Sequence, residues 1–276
     1  MTRSRSVLRT GLAAAFIVAV AFIPVHKVQA AGFEDYTSPR NADVDARGAK
    51  TIEVRVGAGS LRIEGRPGIT QVQVRGTARS SSRGRLTDIR LIAERRGDVV
   101  FIKSDMPDGN NSFWSSMRGG WNMALDLVIE VPTTVALDVE DGSGDSKFIN
   151  VGPLRLVDGS GEIQINGVNG NATVVDGSGN LTIENVDGAL HVSDGSGNIN
   201  VKNVLGNFQV DEDGSGDIGA TGVGGTMRVD EDGSGNIDVE RVAGDFLVYQ
   251  KGSGTIRSSE VKGKTDIPDR HRRRGD

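Results

Sequence analysis

The stretch Asp176–Gly197 reads DGSGNLTIENVDGALHVSDGSG, and its two DGSG tetrads bracket one complete unit of a repeat. DGSG begins at Asp141, Asp158, Asp176, Asp194, Asp213 and Asp232, and KGSG follows at Lys251, in steps of 17, 18, 18, 19, 19 and 19 residues. A fixed period of this length is the mark of a solenoid. The residues between the tetrads align as well. Five positions after the Asp stand Ile163, Leu181, Ile199, Ile218, Ile237 and Ile256. Seven after it stand Phe148, Ile165, Ile183, Val201, Ala220, Val239 and Ser258, and ten after it Val recurs from Val151 to Val261. A second Gly, Gly170 to Gly263, precedes the pairs Ala172/Val174, Leu190/Val192, Phe208/Val210, Met227/Val229, Phe246/Val248 and Thr265/Ile267.

Apolar residues alternating with polar ones and punctuated by Gly predict two short half-buried strands per repeat. Neither strand buries its apolar face alone, so stacking repeat on repeat is what creates a core. The fold class is therefore an all-β solenoid, a single-stranded β-helix of 18–19-residue coils. One repeat per coil is preferred; seven coils at about 4.8 Å would span roughly 34 Å. Two repeats per coil stays open at this point. Gly57-Ala58-Gly59-Ser60 carries a weaker form of the same pattern, and strand-like runs continue at Leu86 to Ala93, Val99 to Lys103, Leu125 to Val131 and Val135 to Val139. Residues 50–140 read as degenerate coils or a β cap, with a loop at 105–122; residues 31–49 read as a polar leader, 141–267 as the regular solenoid and 268–276 as a basic tail.

The N-terminal 30 residues have the form of a signal peptide. Arg3, Arg5 and Arg9 precede an apolar run from Leu12 to Ile23, Pro24 breaks it, and Val28-Gln29-Ala30 supplies small residues for cleavage before Ala31. The run is too short to span a bilayer comfortably, and no later apolar stretch suggests a transmembrane segment in the mature chain. Export to the periplasm, the outer envelope or the medium is the expectation.

The chain of 276 residues contains 39 Gly, only 8 Phe, 2 Tyr and 2 Trp, and no Cys. This composition argues against a conventional large core and excludes disulfides, thiolate metal sites and cysteine catalysis. The formal net charge is −5, and residues 138–250 alone hold 20 acids against 5 bases. An acidic middle argues against nucleic acid as a partner, because phosphate binding needs a basic face.

The repeat from Asp176 to Gly197 resembles the bacterial putative-adhesin β-strand-repeat family, a domain of unknown function, and is similar to the GIN head domain of auto-transporter adhesins. The likeness spans about residues 50–267. It implies an envelope-associated or secreted β-solenoid without catalytic residues.

Candidate sites follow from the residues themselves. The six Asp of the tetrads form a column that could take Ca²⁺ through hard oxygen ligands, aided by Asp145, Glu162, Asn180, Asn198, Asp217 and Asn236 four positions on. The favoured alternative is that each Asp caps its own turn by accepting backbone N–H bonds. Carboxylates about 4.8 Å apart repel by only about 1 kcal/mol in water. Lys251 in the Asp column reads as drift in a terminal repeat rather than as a cation closing an acidic ladder. His191 lies on an outward strand position and His271 in the tail, which leaves no triad and no zinc site. Phe113, Trp114, Arg118 and Trp121 gather in the polar, Gly-rich loop 105–122 and are the candidate binding residues; covering one end of the solenoid is the competing role. The tail Arg270, His271, Arg272, Arg273 and Arg274 reads as a solvated end, with contact to anionic lipid as the alternative. The outward column Ile149, Asn166, Glu184, Lys202, Thr221, Glu240 and Ser259 forms neither a Thr ladder nor an aromatic track.

These readings combine into a non-catalytic, adhesin-like protein that works through an extended surface, with an envelope or surface protein or a glycan as partner and no cofactor beyond Ca²⁺ in the Asp column. A structural or stress-related envelope protein and a polysaccharide-active β-helix enzyme are the alternatives.

Overall fold

A computed structural model describes residues 26–30, 33–107 and 123–268. Among the described residues, the strands form two sheets of 12 and 11 strands. Each repeat gives one strand to each sheet, as in Leu181–Val186 and Leu190–Asp194. In the first sheet Ile163, Leu181, Ile199, Ile218, Ile237 and Ile256 stand side by side in parallel register. In the second sheet Ala172, Leu190, Phe208, Met227 and Phe246 do the same. Successive repeats are thus direct neighbours in both sheets, and one repeat makes one coil.

The core is the stack of inward columns. Leu181, Ile183, Val186 and Leu190 are fully buried, and Phe148, Phe208 and Phe246 are its largest enclosed side chains. The inward positions at five, seven and ten residues after the Asp break strict alternation. A residue of positive φ just before the Val resolves this, for example Asn185 at 62° and Asn203 at 58°. The left-handed kink turns the backbone so that Val186 and Val204 still point inward, and Asn accepts it more readily than most residues. The Asn side chains use the position twice: Asn203 Nδ2 donates to Asn185 Oδ1 at 3.1 Å, and Asn185 Nδ2 to Asn166 Oδ1 at 3.1 Å. In the final coil Ile256 and Val261 are half-buried and Ile267 is exposed.

The N-terminal region is both coil and cap, and its coils stack out of chain order. The strand Thr51–Ala58 lies between Val99–Asp105 and Ala136–Ser143, parallel to both. Its continuation Leu61–Arg66 lies between Met123–Pro132 and Ser146–Val151. Beyond these, pairing becomes antiparallel: Gln71–Ser80 joins Met123–Pro132, Phe33–Asp45 joins Gln71–Ser80, and Arg90–Arg96 joins Val99–Asp105.

Two sequence expectations change here. The stretch 31–49, read as a polar leader, supplies the strand Phe33–Asp45. Its polar residues have partners in the fold: Arg40 donates through Nε to the carbonyl of Ile89 at 2.8 Å and through Nη2 to that of Leu86 at 2.5 Å, while Val44 is buried. The run from Leu86 to Ala93, read as a strand, begins instead as a 3₁₀ turn over Arg83–Asp88 before the strand Arg90–Arg96. Leu86 and Ile89 are both buried against the end of the core. Three residues per turn bring positions three apart to one side, which a strand would not do.

Candidate functional site

The Asp of each tetrad stands at an inward position at or near the end of the second strand of its coil, which stops at the Asp in four coils and runs on to Ser143 and Ser234 in the other two, and the Gly-Ser-Gly segment leads the chain back to the first sheet. The Gly are required by the stacking itself. Gly197 has φ of +140°, and a Cβ there would lie 1.5 Å from the carbonyl oxygen of Gly179 in the preceding coil. Asp141, Asp158, Asp176, Asp194, Asp213 and Asp232 are in coil-to-coil register. Val56 precedes this column and Lys251 follows it. All six carboxyl residues are between 1% and 5% exposed. Proximity therefore matters more than in water: at an effective dielectric of about 20, two charges about 4.8 Å apart cost about 3.5 kcal/mol.

The column is closed by a different polar group at each end. Ser146, which stands where the other coils have Ile or Leu, donates through Oγ to Asp141 Oδ2 at 2.5 Å. At the other end Lys251 Nζ lies 2.9 Å from Asp232 Oδ2, with both side chains buried. Lys251 also donates to the carbonyls of Gly235 at 2.7 Å and Ser253. This overturns the reading of Lys251 as drift: it is the cation that terminates an acidic ladder. Inside the column, the amides of Ser178 and Ser196 donate to Asp176 Oδ1 and Asp194 Oδ1 at 3.1 Å, the turn-capping bond expected of Asp. Burial pushes the carboxyls of Asp141 and Asp194 up to about 6. It pushes Asp158 and Asp213 up to about 7, with repulsion from Asp141 and Asp176 adding to the first and from Asp232 and Asp194 to the second. Asp176 and Asp232 are raised by burial too, the latter held back by its bond to Lys251.

The residues expected to assist a Ca²⁺ ion are engaged elsewhere. Asp145, Asn180, Asn198, Asp217 and Asn236 accept the backbone N–H of the residue one coil further on, at 3.1, 3.2, 2.9, 2.7 and 3.1 Å. They act as rungs between coils at the surface corner. Among the described residues, no three His, Asp or Glu side chains converge as a metal ion would need.

The loop residues Phe113, Trp114, Arg118 and Trp121 lie outside the described residues, as do the tail positions Arg270 to Arg274. Pro107 and Met123 are the described residues on either side of that stretch. Both border a cleft of about 490 Å³ whose floor includes Gly57, Ala58 and Met106, with Arg55, Lys103 and Glu140 around it. Arg55 is tied to Asp138 at 3.3 Å and to Glu140 at 3.4 Å. His191 sits on the outer face of the second sheet between Thr173 and Gln209, with no acid beside it in its row.

The architecture has counterparts among solved structures. A putative adhesin of Bacteroides fragilis matches with a TM-score of 0.50 at 16% identity, over 83% of this chain and 96% of that one. This likeness is one of fold. A putative adhesin and a putative lipid-binding protein of Parabacteroides distasonis match at TM-scores of 0.36 and 0.38, with 14% and 12% identity, each over 83% of this chain and 96% of theirs. No family model matches the sequence, and no curated protein does. No helix among the described residues is long and apolar enough to cross a membrane.

Proposed function

We propose that the protein is a non-catalytic, adhesin-like rod of the bacterial envelope or exterior, which engages a surface protein or glycan through its extended outer surface. The observation that carries this reading is the parallel stacking of its coils, continuous through a bulge at Val192/Ser193 in the second sheet, which gives two long faces with mixed polar side chains. Such a surface suits many weak contacts in line better than chemistry on one small substrate. The Bacteroides fragilis protein with a similar fold is itself described as a putative adhesin, which supports the same reading. Export through the N-terminal signal belongs to the proposal. So does a contact role for Phe113, Trp114, Arg118 and Trp121, since aromatic and Arg side chains dominate contact energies when they are packed against a partner. The cleft between the two roots of their loop is the natural place for such a contact to begin.

The test is binding of the full-length exported protein to arrays of glycans and envelope proteins, beside Trp114→Ala/Trp121→Ala. The double variant should bind at least tenfold more weakly with an unchanged melting temperature. The reading fails if the protein binds nothing on either array and its deletion leaves cell attachment intact, or if it turns over a polysaccharide.

A further inference from the structure

The buried Asp column is supplied with donors in a pattern. Asp141 has Ser146, Asp176 and Asp194 have the amides of Ser178 and Ser196, and Asp232 has Lys251. Asp158, Asp213 and Asp232 each have both oxygens buried without a hydrogen-bond partner, but Asp232 has the ammonium of Lys251 at 2.9 Å, whereas Asp158 and Asp213 have no cation in contact. Each of these two stands between two other carboxyls, Asp158 between Asp141 and Asp176, and Asp213 between Asp194 and Asp232. The charged groups that act on the column from outside it are Lys251 at its end and Asp217 at the facing corner, and Asp217 adds repulsion at Asp213 and Asp232. One cation against six carboxyls cannot neutralise the row. A carboxylate accepts hydrogen bonds only, whereas a carboxylic acid also donates one. A proton on Asp158 and another on Asp213 would supply each with a donor toward a neighbouring carboxylate and would separate the remaining charges.

We propose that Asp158 and Asp213 are carboxylic acids in the folded protein near neutral pH, and that the Asp column is a proton-holding spine which makes the rod firmest in mild acid. The ordinary Asp value is 3.8, and burial raises both carboxyls to about 7. A carboxyl with a raised folded value binds a proton on folding, so its stabilisation is complete below the unfolded value and is lost as pH climbs through the folded one. The window of change is therefore about pH 4 to 7, with the rod weakening upward through it.

The experiment is thermal unfolding of the full chain from pH 5 to pH 8 in EDTA, repeated with millimolar Ca²⁺, for the wild type and for Asp158→Asn/Asp213→Asn. Asn keeps the shape, supplies the missing donor and cannot titrate. The wild-type midpoint should fall steadily as pH rises, with about three protons taken up per molecule folded near pH 6, two of them at Asp158 and Asp213 and the third shared by Asp141 and Asp194, and the variant should lose about two thirds of that slope. A wild-type midpoint independent of pH overturns the proposal, as does a slope unchanged in the variant. A saturable rise with Ca²⁺ that abolishes the slope also overturns it, by making the column a metal site. Should the variant not fold, the infrared carbonyl band of a protonated carboxyl decides on the wild type alone: present at pH 6 and fading by pH 8 supports the spine, absent at pH 6 refutes it.

Discussion

Replacing Lys251 by Met should weaken the protein, and by an amount that depends on pH. Lys251 Nζ is 2.9 Å from Asp232 Oδ2, and the two side chains are 7% and 0% exposed. Met retains the length and apolar contact of the stem while removing the charge. Breaking one side of a buried ion pair costs about 3–5 kcal/mol, because the remaining charge has no partner. Asp232 can escape by taking a proton, and that escape has a calculable cost. From an ordinary value of 3.8, at about 1.36 kcal/mol per pH unit, it amounts to about 5 kcal/mol at pH 7.5 but only about 1.6 kcal/mol at pH 5. The loss should thus be severe at pH 7.5 and shrink by about 3 kcal/mol at pH 5. Urea unfolding of wild type, Lys251→Met, Asp232→Asn and the double variant at the two pH values reads this directly, and the double variant should regain most of what Lys251→Met loses at pH 7.5. A loss under about 1 kcal/mol at pH 7.5, or an equal loss at both pH values, would refute the ladder-closing role of Lys251.

Two further substitutions test the stacking rules. Gly197→Ala places a methyl group 1.5 Å from the carbonyl oxygen of Gly179 at a φ of +140°; the loss should exceed about 3 kcal/mol, seen as a large drop in melting temperature or failure to fold, whereas a loss below about 1 kcal/mol would mean that the coils are not packed this closely. Arg241 holds a φ of +58° where the five preceding coils use Asn or Gly; Arg241→Asn should raise stability by about 1 kcal/mol in urea unfolding, since its exposed pairing with Glu240 contributes little.

The solenoid was legible because its signal is repeated: seven tetrads and the recurrent Val report the same coil again and again. The burial of the tetrad Asp was not legible, because Asp in a Gly-rich turn ordinarily faces water, and nothing local distinguishes the inward corner from an outward one. One clue did exist. Val56 and Lys251 occupy the two ends of the Asp column, and a column that changes from apolar through acidic to basic in register points to contact between coils. Ser146 was a second clue, a polar residue at an otherwise aliphatic position. The antiparallel cap was hidden for a different reason. Phe33–Asp45 is polar on its outer side and finds its partner strand about 35 residues later, a pairing with no periodic echo. The order of the first coils was likewise invisible, since periodicity reports that a coil exists and not where it is inserted.

That insertion bears on how the chain assembles. Every coil from Ser146 onward touches segments one repeat away, so short loops close it. The coil built from Thr51–Ala58 and Leu61–Arg66 has no such neighbour: its flanks are completed by Val99–Asp105, Met123–Pro132 and Ala136–Val151. Closing those long loops is entropically dearer and slower than adding a repeat. A chain emerging from its N-terminus must therefore hold its first coil unfinished until some hundred residues more have followed. Nucleation accordingly belongs to the tetrad repeats, and the amino-terminal end is the last part of the rod to seal.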